Sequence, residues 1–393
     1  MKPVNPTLAA TFSPPVMEAR RWLASASFPP DRPLINVSQA APVDPPPEDL
    51  RRVMSDAALN RPEAHLYGPV LGNDDLRATL AQSWQRFYDA PVTPGHIAIT
   101  QGCNQAFCAA MTSLAGAGDE VIVPVPWYFN HKMWLAMQGI RAVPLACGQG
   151  MVPRAQDAAA LITDKTRAIV LVSPNNPTGA EYPAETLSAF FDLARSRGIA
   201  LIVDETYRDF DSREGAPHDL RNRDGADETL IQLYSFSKVF RLTGHRVGAI
   251  VTGPERLVEI EKFLDTVAIS TSQIGQIGAE YGLRKMSDWV AAERVEILNR
   301  RRAMREAMQS VPGWELVSVG AYFAWVAHPF DMASDELART LVHEAGILML
   351  PGTMFMPDGQ GKRHLRIAFA NADAAGIAAM ASRLADFTPD IRD

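Results

Sequence analysis

The middle of the chain consists of short apolar runs that alternate with helical stretches. Seven such runs lie between residues 96 and 253, namely HIAIT, EVIVPVP, RAVPLA, RAIVLVSP, IALIVDE, TLIQLYSFS and VGAIVTG. For most of this length they alternate with helical patterns such as 103–115 and 183–197. Strands covered by helices on both faces show this kind of near-continuous apolar run. The pattern predicts an α/β fold with a mostly parallel, seven-stranded sheet.

The two ends of the chain follow other patterns. Residues 28–47 are crowded with proline, which fixes φ and removes backbone donors, so we expect an extended arm that runs over a surface. After about residue 285 the sequence predicts a long amphipathic helix and then an α+β segment that contains AYFAWVAHP and HLRIAFA. We predict an N-terminal arm with part of a small domain at 1–47, a large domain at 48–285 that contains the seven strands, and a smaller α+β domain at 286–393.

Composition and charge narrow the classes of function. The 393 residues are 47% hydrophobic and carry a formal net charge of −7, from 38 basic and 45 acidic residues. A nucleic-acid partner is not expected, because such proteins usually have a basic excess. The three cysteines, Cys103, Cys108 and Cys147, lack the spacing of a disulfide framework or a zinc site, which favours a reducing compartment.

Export and membrane insertion are not expected either. The first 24 residues lack a continuous apolar core and are interrupted by prolines. No uncharged run of about 18 apolar residues occurs later. We therefore predict a cytoplasmic protein without a membrane partner.

A lysine with a particular set of neighbours follows the sixth predicted strand. Lys238 lies in SFSKVFRLTGHRVG, where Ser235, Ser237 and Arg246 could bind a phosphate dianion by charge-assisted hydrogen bonds. A lysine by itself is usually a solvated surface residue. Sites in α/β sheets, however, gather at the carboxyl ends of strands. A lysine beside a phosphate site indicates an aldehyde cofactor.

Two other strand ends carry candidate polar residues. Asp204 lies at the carboxyl end of the run IALIVDE, and Tyr207 follows it three residues later. A buried carboxylate needs a partner, which could be a protonated pyridine nitrogen, a helix N-terminus or another cation. The segment SPNNPTG, residues 173–179, predicts a tight turn that either presents the Asn176 amide to a ligand or is only a turn.

Four motifs occur together in one order: SPNNPTG, VDETY, SFSKVFRLTGHRVG and LRIAFA. With these motifs the chain resembles, over nearly its whole length, the class I/II aminotransferases, which are pyridoxal-phosphate enzymes of fold type I. The resemblance implies that Lys238 binds the aldehyde of pyridoxal 5′-phosphate covalently and that Asp204 pairs with its pyridine nitrogen. It also implies that Asn176 and Tyr207 hydrogen-bond the phenolic oxygen of the cofactor.

The resemblance assigns two groups of residues to the cofactor phosphate. The group that supplies side chains consists of Ser235, Ser237 and Arg246. The other group lies where the family begins a helix, so that backbone N–H groups and the helix dipole meet the phosphate. This second group consists of Gly102, Cys103 and Asn104, for which an ordinary helix start is the alternative.

Further matches concern the cofactor ring and the substrate. Trp127 matches the aromatic residue that stacks on the pyridine ring, with Tyr128 next to it; an aromatic pair is otherwise core packing. Arg366 in LRIAFA matches the arginine that binds the substrate α-carboxylate, and Asn176 is expected beside it. Where many relatives have GQGxP in the arm, this chain has SQAAP, so Ala40 replaces a glycine near the substrate carboxylate.

The resemblance also bears on assembly and specificity. Tyr67 matches a tyrosine that reaches the phosphate in the neighbouring subunit, which implies a homodimer with shared active sites. An arginine that selects dicarboxylates in one branch of the family has no counterpart in LDTVAISTSQ, where Thr266 falls nearby. A strict preference for aspartate is therefore not expected.

The implied function is transfer of an amino group between an L-amino acid and a 2-oxo acid by a ping-pong mechanism. The freed amine of Lys238 would serve as the base for the Cα proton. A carbon–sulfur β-lyase would use the same cofactor and the same base. A non-catalytic regulatory module that binds pyridoxal phosphate is an alternative of another class, although no basic helix-turn-helix segment precedes residue 28.

Other polar residues are predicted to take no part in the chemistry. The arginines of NRRRAMRE, residues 299–306, are interpreted as the solvated face of the long helix. His131, His245 and His328 are isolated in sequence from any set of ligands.

Overall fold

One mixed sheet forms the centre of the fold. The computed structural model describes residues 4–388, and each of the seven predicted runs forms one strand of this sheet. In chain order, the strands of the structure are β1 (Ile35–Asn36), β2 (Ile97–Thr100), β3 (Glu120–Val125), β4 (Arg141–Ala146), β5 (Thr166–Val172), β6 (Ala200–Asp204), β7 (Leu230–Ser235), β8 (Gly248–Val251), β9 (Glu315–Gly320), β10 (Phe323–Ala327), β11 (Ile347–Leu348), β12 (Leu350–Pro351) and β13 (His364–Ala368).

The large sheet has the strand order β2, β8, β7, β6, β5, β3, β4. Neighbouring strands are parallel, except that β8 is antiparallel to both β2 and β7. The predicted mostly parallel, seven-stranded sheet is confirmed. The carboxyl ends of β5, β6 and β7 therefore lie side by side at one edge of the sheet.

Helices alternate with the strands as the sequence predicted. In chain order, the α-helices are α1 (Pro6–Ala10), α2 (Pro15–Ala24), α3 (Glu48–Asn60), α4 (Asp74–Tyr88), α5 (Cys103–Thr112), α6 (Phe129–Met137), α7 (Ala155–Ala159), α8 (Ala184–Arg197), α9 (Ala226–Thr229), α10 (Phe236–Val239), α11 (Pro254–Ala268), α12 (Gln273–Lys285), α13 (Ser287–Gln309), α14 (Ser334–Thr340) and α15 (Ala374–Ala385). A π-helical turn, Leu341–Ala345, continues α14.

Both faces of the large sheet are covered, which explains its unbroken apolar strands. Every residue of β3, β6 and β7 is buried. On one face Val170 and Ile202 share a core with residues of α5 and α11. On the other face Leu171 and Val203 pack with α8. Since side chains alternate along a strand, adjacent residues of one strand serve two separate cores.

A second, antiparallel sheet has the strand order β12, β13, β10, β9. Its core includes residues of α13 and α15, and also Trp22 of α2 and Val37 of the arm. The N-terminal residues thus pack with the C-terminal part of the chain. The domain limits 1–47, 48–285 and 286–393 stay predictions, and residues 1–3 and 389–393 lie outside the described residues.

The proline-rich arm is extended, but it does not simply run over a surface as predicted. Its strand β1 pairs in parallel with β11. Val37 and Ala40 are buried, and the Val37 carbonyl accepts a hydrogen bond of 2.7 Å from the Ala368 amide. The arm differs from the prediction because apolar residues lie between its prolines. Their burial against β13 holds the arm in the core of the second sheet.

The arginine-rich part of α13 is only partly solvated. Arg301 Nη1 lies 3.1 Å from Glu181 Oε1, and Arg300 Nη1 donates to the Ala370 carbonyl. The interpretation as a solvated face is therefore wrong for these two residues, whereas Arg302 and Arg305 are exposed. Consecutive helical residues point about 100° apart, so one run of arginines reaches both protein and solvent.

The turn of SPNNPTG meets the second sheet at a pair of glycines. Gly179 has a φ of +73°, and a Cβ built on it would lie 2.6 Å from the Phe323 carbonyl oxygen and would overlap the Gly320 backbone. Only glycine permits this approach, because backbone atoms cannot move aside as a flexible side chain can. The contact joins the loop that carries Asn176 to the β9–β10 hairpin.

We expect Gly179→Ala to lower the free energy of unfolding by about 3 kcal/mol, because it combines a left-handed φ with a backbone clash. Urea unfolding followed by circular dichroism measures this loss. Gly150→Ala is the matched control, since Gly150 has a φ of +67° with no atom within 4 Å of the added Cβ. The control should lose only about 1 kcal/mol. Equal losses in both variants would contradict the role of the close approach.

Candidate active site

The carboxyl ends of β5, β6 and β7 open into a cavity of about 410 Å³, which we call the cofactor cavity. Sites in α/β folds form at such strand ends because the connecting loops diverge there. The structure brings most of the predicted residues to its wall. Those that line it are Ala40, Cys103, Asn104, Asn176, Asp204, Tyr207, Ser235, Ser237, Lys238, Arg246 and Arg366.

Lys238 lies on α10, one turn beyond the end of β7. Ser235 begins this short helix, and its Oγ accepts a hydrogen bond of 3.2 Å from the Ser237 amide. Burial and the positive charges of Arg246 and Arg366 lower the pKa of the Lys238 amine to about 8. The amine is therefore neutral, and so nucleophilic, at a lower pH than an ordinary lysine.

Asp204 is a buried carboxylate at the end of β6. Its Oδ1 accepts a hydrogen bond of 3.0 Å from the Thr206 amide and lies 3.6 Å from Cys103 Sγ. Burial raises the pKa of Asp204, but His131 and the Thr206 hydrogen bonds outweigh burial and lower that pKa overall. A negative charge thus stands at the inner end of the cavity, where a protonated ring nitrogen would find its partner.

His131 belongs to this site, although its sequence position suggested isolation. Its Nε2 lies 3.3 Å from Asp204 Oδ2 without hydrogen-bond alignment, and its ring stacks on Phe107 at 3.9 Å between centroids. The side chain is only 1% exposed. The signal in the sequence was its place shortly after the run EVIVPVP. That run forms β3, which only β5 separates from β6 in the sheet, and His131 lies on the helix α6 that follows it.

A cluster of donors forms the other end of the cavity. Arg246 Nη1 donates to Ser237 Oγ at 3.3 Å and to the Thr243 carbonyl at 3.0 Å. Gly102 begins α5 with a φ of +80°, and a Cβ there would overlap the Arg246 guanidinium. The helix start, the guanidinium and the serine hydroxyls therefore converge where an anion would be stabilised. Gly102 itself does not line the cavity, but it makes the convergence possible.

Arg366 on β13 reaches the cavity from the second sheet. Its Nη1 donates to Asn176 Oδ1 at 2.9 Å, and its Nη2 donates to the Ser38 carbonyl. The guanidinium lies 5.1 and 4.9 Å from the ring centroids of Phe323 and Phe355. Burial lowers its pKa to about 10. Among residues 4–388 it has no carboxylate partner, so a substrate carboxylate can take that place.

The aromatic residue on the cavity wall is Tyr128 and not Trp127, so the prediction was displaced by one residue. Trp127 is buried in the core beside α5, and its amide donates to the Phe355 carbonyl at 2.8 Å. The Tyr128 hydroxyl accepts from Asn130 Nδ2 at 2.9 Å and lies 3.3 Å from Asn104 Oδ1. Adjacent side chains of an extended segment point to opposite sides. An alignment shifted by one residue therefore assigns the side chain in the core, Trp127, to the cavity in place of Tyr128.

The last two predicted residues stand in different surroundings. Tyr207 is buried and packs on Tyr322 and Phe323, with ring centroids 5.3 and 5.1 Å apart. Burial raises the pKa of its hydroxyl well above the ordinary value, so the hydroxyl remains a hydrogen-bond donor. Tyr67 is 79% exposed and does not line the cavity of its own chain.

The model of the family "Aminotransferase class I and II" matches residues 32–384. The chain belongs to this family. Such aminotransferases depend on pyridoxal phosphate, so the chain is a pyridoxal-phosphate-dependent aminotransferase that acts on amino acids and 2-oxo acids. The predictions of family, cofactor and enzyme class are confirmed, and the β-lyase alternative is not favoured.

The relatives of this chain are named for different amino donors. The aminotransferase is 31% identical to the arginine–pyruvate transaminase AruH of Pseudomonas aeruginosa over 77% of each chain. It is 28% identical to the aromatic aminotransferase ISS1 of Arabidopsis thaliana, over 81% of this chain and 80% of that protein. The Thermus thermophilus aspartate aminotransferase solved with maleate superimposes with a TM-score of 0.88 at 24% identity, over 98% of this chain and 100% of that chain. This likeness confirms fold type I.

The residues of the aminotransferase cavity fit the cofactor on three grounds. A buried carboxylate stands at one end, on Asp204. A guanidinium and two serine hydroxyls stand at the other end, around a glycine whose Cβ would fill the space. An amine of lowered pKa, on Lys238, lies on the wall between them. Within residues 4–388 no helix has both the length and the apolar character needed to cross a bilayer.

His131→Phe should weaken cofactor binding by about tenfold, because without the imidazole the ionised form of the buried Asp204 loses part of its stabilisation and the pKa of that carboxyl rises. The affinity of the variant should fall further as the pH decreases, since a protonated Asp204 no longer attracts a ring cation. A fluorescence titration of the apoenzyme with pyridoxal phosphate at several pH values measures this effect.

His131→Asn is the control, because its amide can still donate towards Asp204 and should recover part of the affinity. A uniform loss in both variants that does not change with pH would indicate a packing defect instead.

Proposed function

We propose that Lys238 binds the aldehyde of pyridoxal phosphate and then serves as the base that carries a proton during amino-group transfer. One observation carries this proposal: the amine of Lys238, the carboxylate of Asp204 and the guanidinium of Arg366 all line a single cavity of about 410 Å³. These are an amine, a partner for a ring cation and a partner for a substrate carboxylate. Their combination suits chemistry at the Cα atom of an amino acid.

The roles of the residues follow from their chemistry. When bound, pyridoxal phosphate supplies an aldehyde that takes the amino group and a ring that delocalises the electron pair left at Cα. Arg366 binds the α-carboxylate, and the Asn176 side chain, 2.9 Å away, orients the guanidinium. Asp204 holds a proton at the ring nitrogen. Lys238 Nζ would take the proton from Cα and deliver it to the carbon of the cofactor aldehyde, so one residue would serve both covalent attachment and proton transfer.

The enzyme is proposed to act as a homodimer with shared sites. Four large apolar side chains near Tyr67 are exposed: Leu59, Leu66, Val267 and Ile269. The segment after Tyr67 contacts the loop before α12, since the Gly68 amide donates to Ser270 Oγ at 3.3 Å. A second copy would bury this surface, and Tyr67 of the partner subunit would then reach the phosphate end of the cavity.

A cytoplasmic location is also proposed. All three cysteines are free, and Cys103 is buried beside Asp204. Free cysteines suit a reducing compartment. The relatives are named for aromatic, aspartate and arginine donors, so their names do not select an amino donor for this chain.

Lys238→Ala should lower the rate of transamination by about 10⁴-fold or more, because both the covalent attachment and the base are lost. Lys132→Ala is the matched control, since Lys132 is a half-buried lysine whose pKa burial also lowers but which does not line the cavity. The measurement mixes the loaded enzyme with single amino acids, without oxo acid, and follows the cofactor absorbance, oxo acid and ammonia.

One oxo acid per site without ammonia is the expected result for the wild-type enzyme. Accumulation of ammonia and oxo acid over many turnovers would instead assign β-elimination to the site. Substantial residual transamination by Lys238→Ala would remove the proposed role of that residue.

Mixing Tyr67→Ala and Lys238→Ala variants should restore activity if each site uses residues of both subunits. After unfolding and refolding together, half of the dimers are hybrids with one intact site, so about a quarter of the wild-type sites return. Activity of the mixture is compared with that of each variant refolded alone. No gain on mixing, with hybrid dimers present by native mass spectrometry, would contradict a shared site.

A further inference from the structure

Four charged side chains line the cofactor cavity, and in the proposed function each of them binds the cofactor or the substrate. Asp204, Lys238 and Arg246 serve the cofactor, and Arg366 serves the substrate α-carboxylate. The other residues of the wall that the structure describes are uncharged. This leaves no charged group in the cavity wall of this chain to bind a charged substrate side chain.

One portion of the uncharged wall, which we call the cavity mouth, is formed by the beginning of α2 with the residue before it, the arm and the start of α6. Its members are Pro14, Val16, Gln39, Ala41, Phe129 and Asn130. Most of these side chains are apolar, and the two amides are the polar exceptions. Asn130 Nδ2 already donates to the Tyr128 hydroxyl at 2.9 Å. The Gln39 carbonyl accepts from Asn371 Nδ2 at 3.1 Å, which fixes the backbone, while the Gln39 side chain is exposed and unconstrained by that bond.

The segments that would come from a second copy carry no permanently charged side chain. Residues 64–72, AHLYGPVLG, surround Tyr67, and residues 266–279, TVAISTSQIGQIGA, lie against them through the Gly68–Ser270 hydrogen bond. Neither segment contains lysine, arginine, aspartate or glutamate. In the proposed dimer these two segments of the partner subunit would extend the uncharged wall of the cavity and would add no fixed charge.

We propose that the substrate side-chain subsite accepts an uncharged side chain, aromatic, thioether or amide, and rejects both carboxylate and cationic side chains. The inference rests on the proposed function, because Arg366 must be engaged by the α-carboxylate. The physical reason is desolvation: a charged side chain enclosed by this wall loses hydration and gains no partner of opposite charge. Gln39 is the specificity-determining residue at the mouth, because its side chain lines the cavity and makes no contact that would fix it. Its backbone is held separately by the hydrogen bond from Asn371, so a substitution changes the side chain alone.

The first test measures kcat/KM of the wild-type holoenzyme for single amino donors with a fixed 2-oxo acid. Phenylalanine, methionine and glutamine represent uncharged side chains; aspartate, glutamate, arginine and lysine represent charged ones. The best uncharged donor should exceed every charged donor by about 100-fold, the size expected for burying an unpaired charge. A charged donor that equals the best uncharged donor would overturn the proposal.

The second test changes the charge at the mouth. Gln39→Lys should raise kcat/KM for aspartate relative to phenylalanine by about tenfold, and Gln39→Glu should do the same for arginine. Gln39→Met is the uncharged control and should keep the wild-type ranking of donors. If Gln39→Lys and Gln39→Glu change the relative rates of aspartate and arginine in the same direction, Gln39 does not face the substrate side chain.

A binding measurement separates this inference from the proposed function, because it needs no turnover. The thermal midpoint of the holoenzyme is measured with 3-phenylpropanoate or succinate, which lack the amino group. The expected result is a clear rise with 3-phenylpropanoate and a small one with succinate. If no amino acid reacts while this contrast holds, the proposed function fails and the neutral subsite stands. If amino acids react but succinate stabilises as well, only the neutral subsite fails.

Discussion

The buried carboxylate of Asp204 is the constraint on which the site depends. A carboxylate that is 3% exposed needs compensation, and here the partners are the Thr206 amide, the Cys103 thiol and the imidazole of His131. They come from the loop after β6, from α5 and from α6. Satisfying one buried charge therefore requires these three segments to meet at the edge of the large sheet, and residues of all three line the cofactor cavity.

The same segment carries a second buried carboxylate that faces away from the cavity. Glu205 accepts from Tyr88 and Gln232, the latter at 2.8 Å, and lies 3.0 Å from His218 Nε2. Behind it, the Arg208 guanidinium stacks on Trp84 at 3.8 Å from the ring centroid. Asp204 and Tyr207 thus face the cavity, while Glu205 and Arg208 anchor the segment from the opposite side. Such anchoring keeps the cavity residues in position without contacting the substrate.

The sequence was most informative where a local pattern has one structural meaning. Apolar runs identified all seven strands of the large sheet, because covered parallel strands have few alternatives. Strand ends then placed Asp204, Lys238 and Asn176 at one edge. The pattern was less informative where two orientations differ by one residue, as at Trp127 and Tyr128, or where polar residues meet only in space, as His131 does with Asp204 and Arg301 with Glu181.

By itself, the sequence determined the class of the fold, the family and the set of residues that can carry the chemistry, because strand periodicity and motif order are local properties of the chain. Only the tertiary structure decided which aromatic residue faces the cavity, that His131 joins Asp204, and that the arm packs into the second core. It also decided that the cavity mouth carries no spare charge. These features depend on distances between segments that lie far apart in the chain, and burial and charge compensation are settled only when those segments meet.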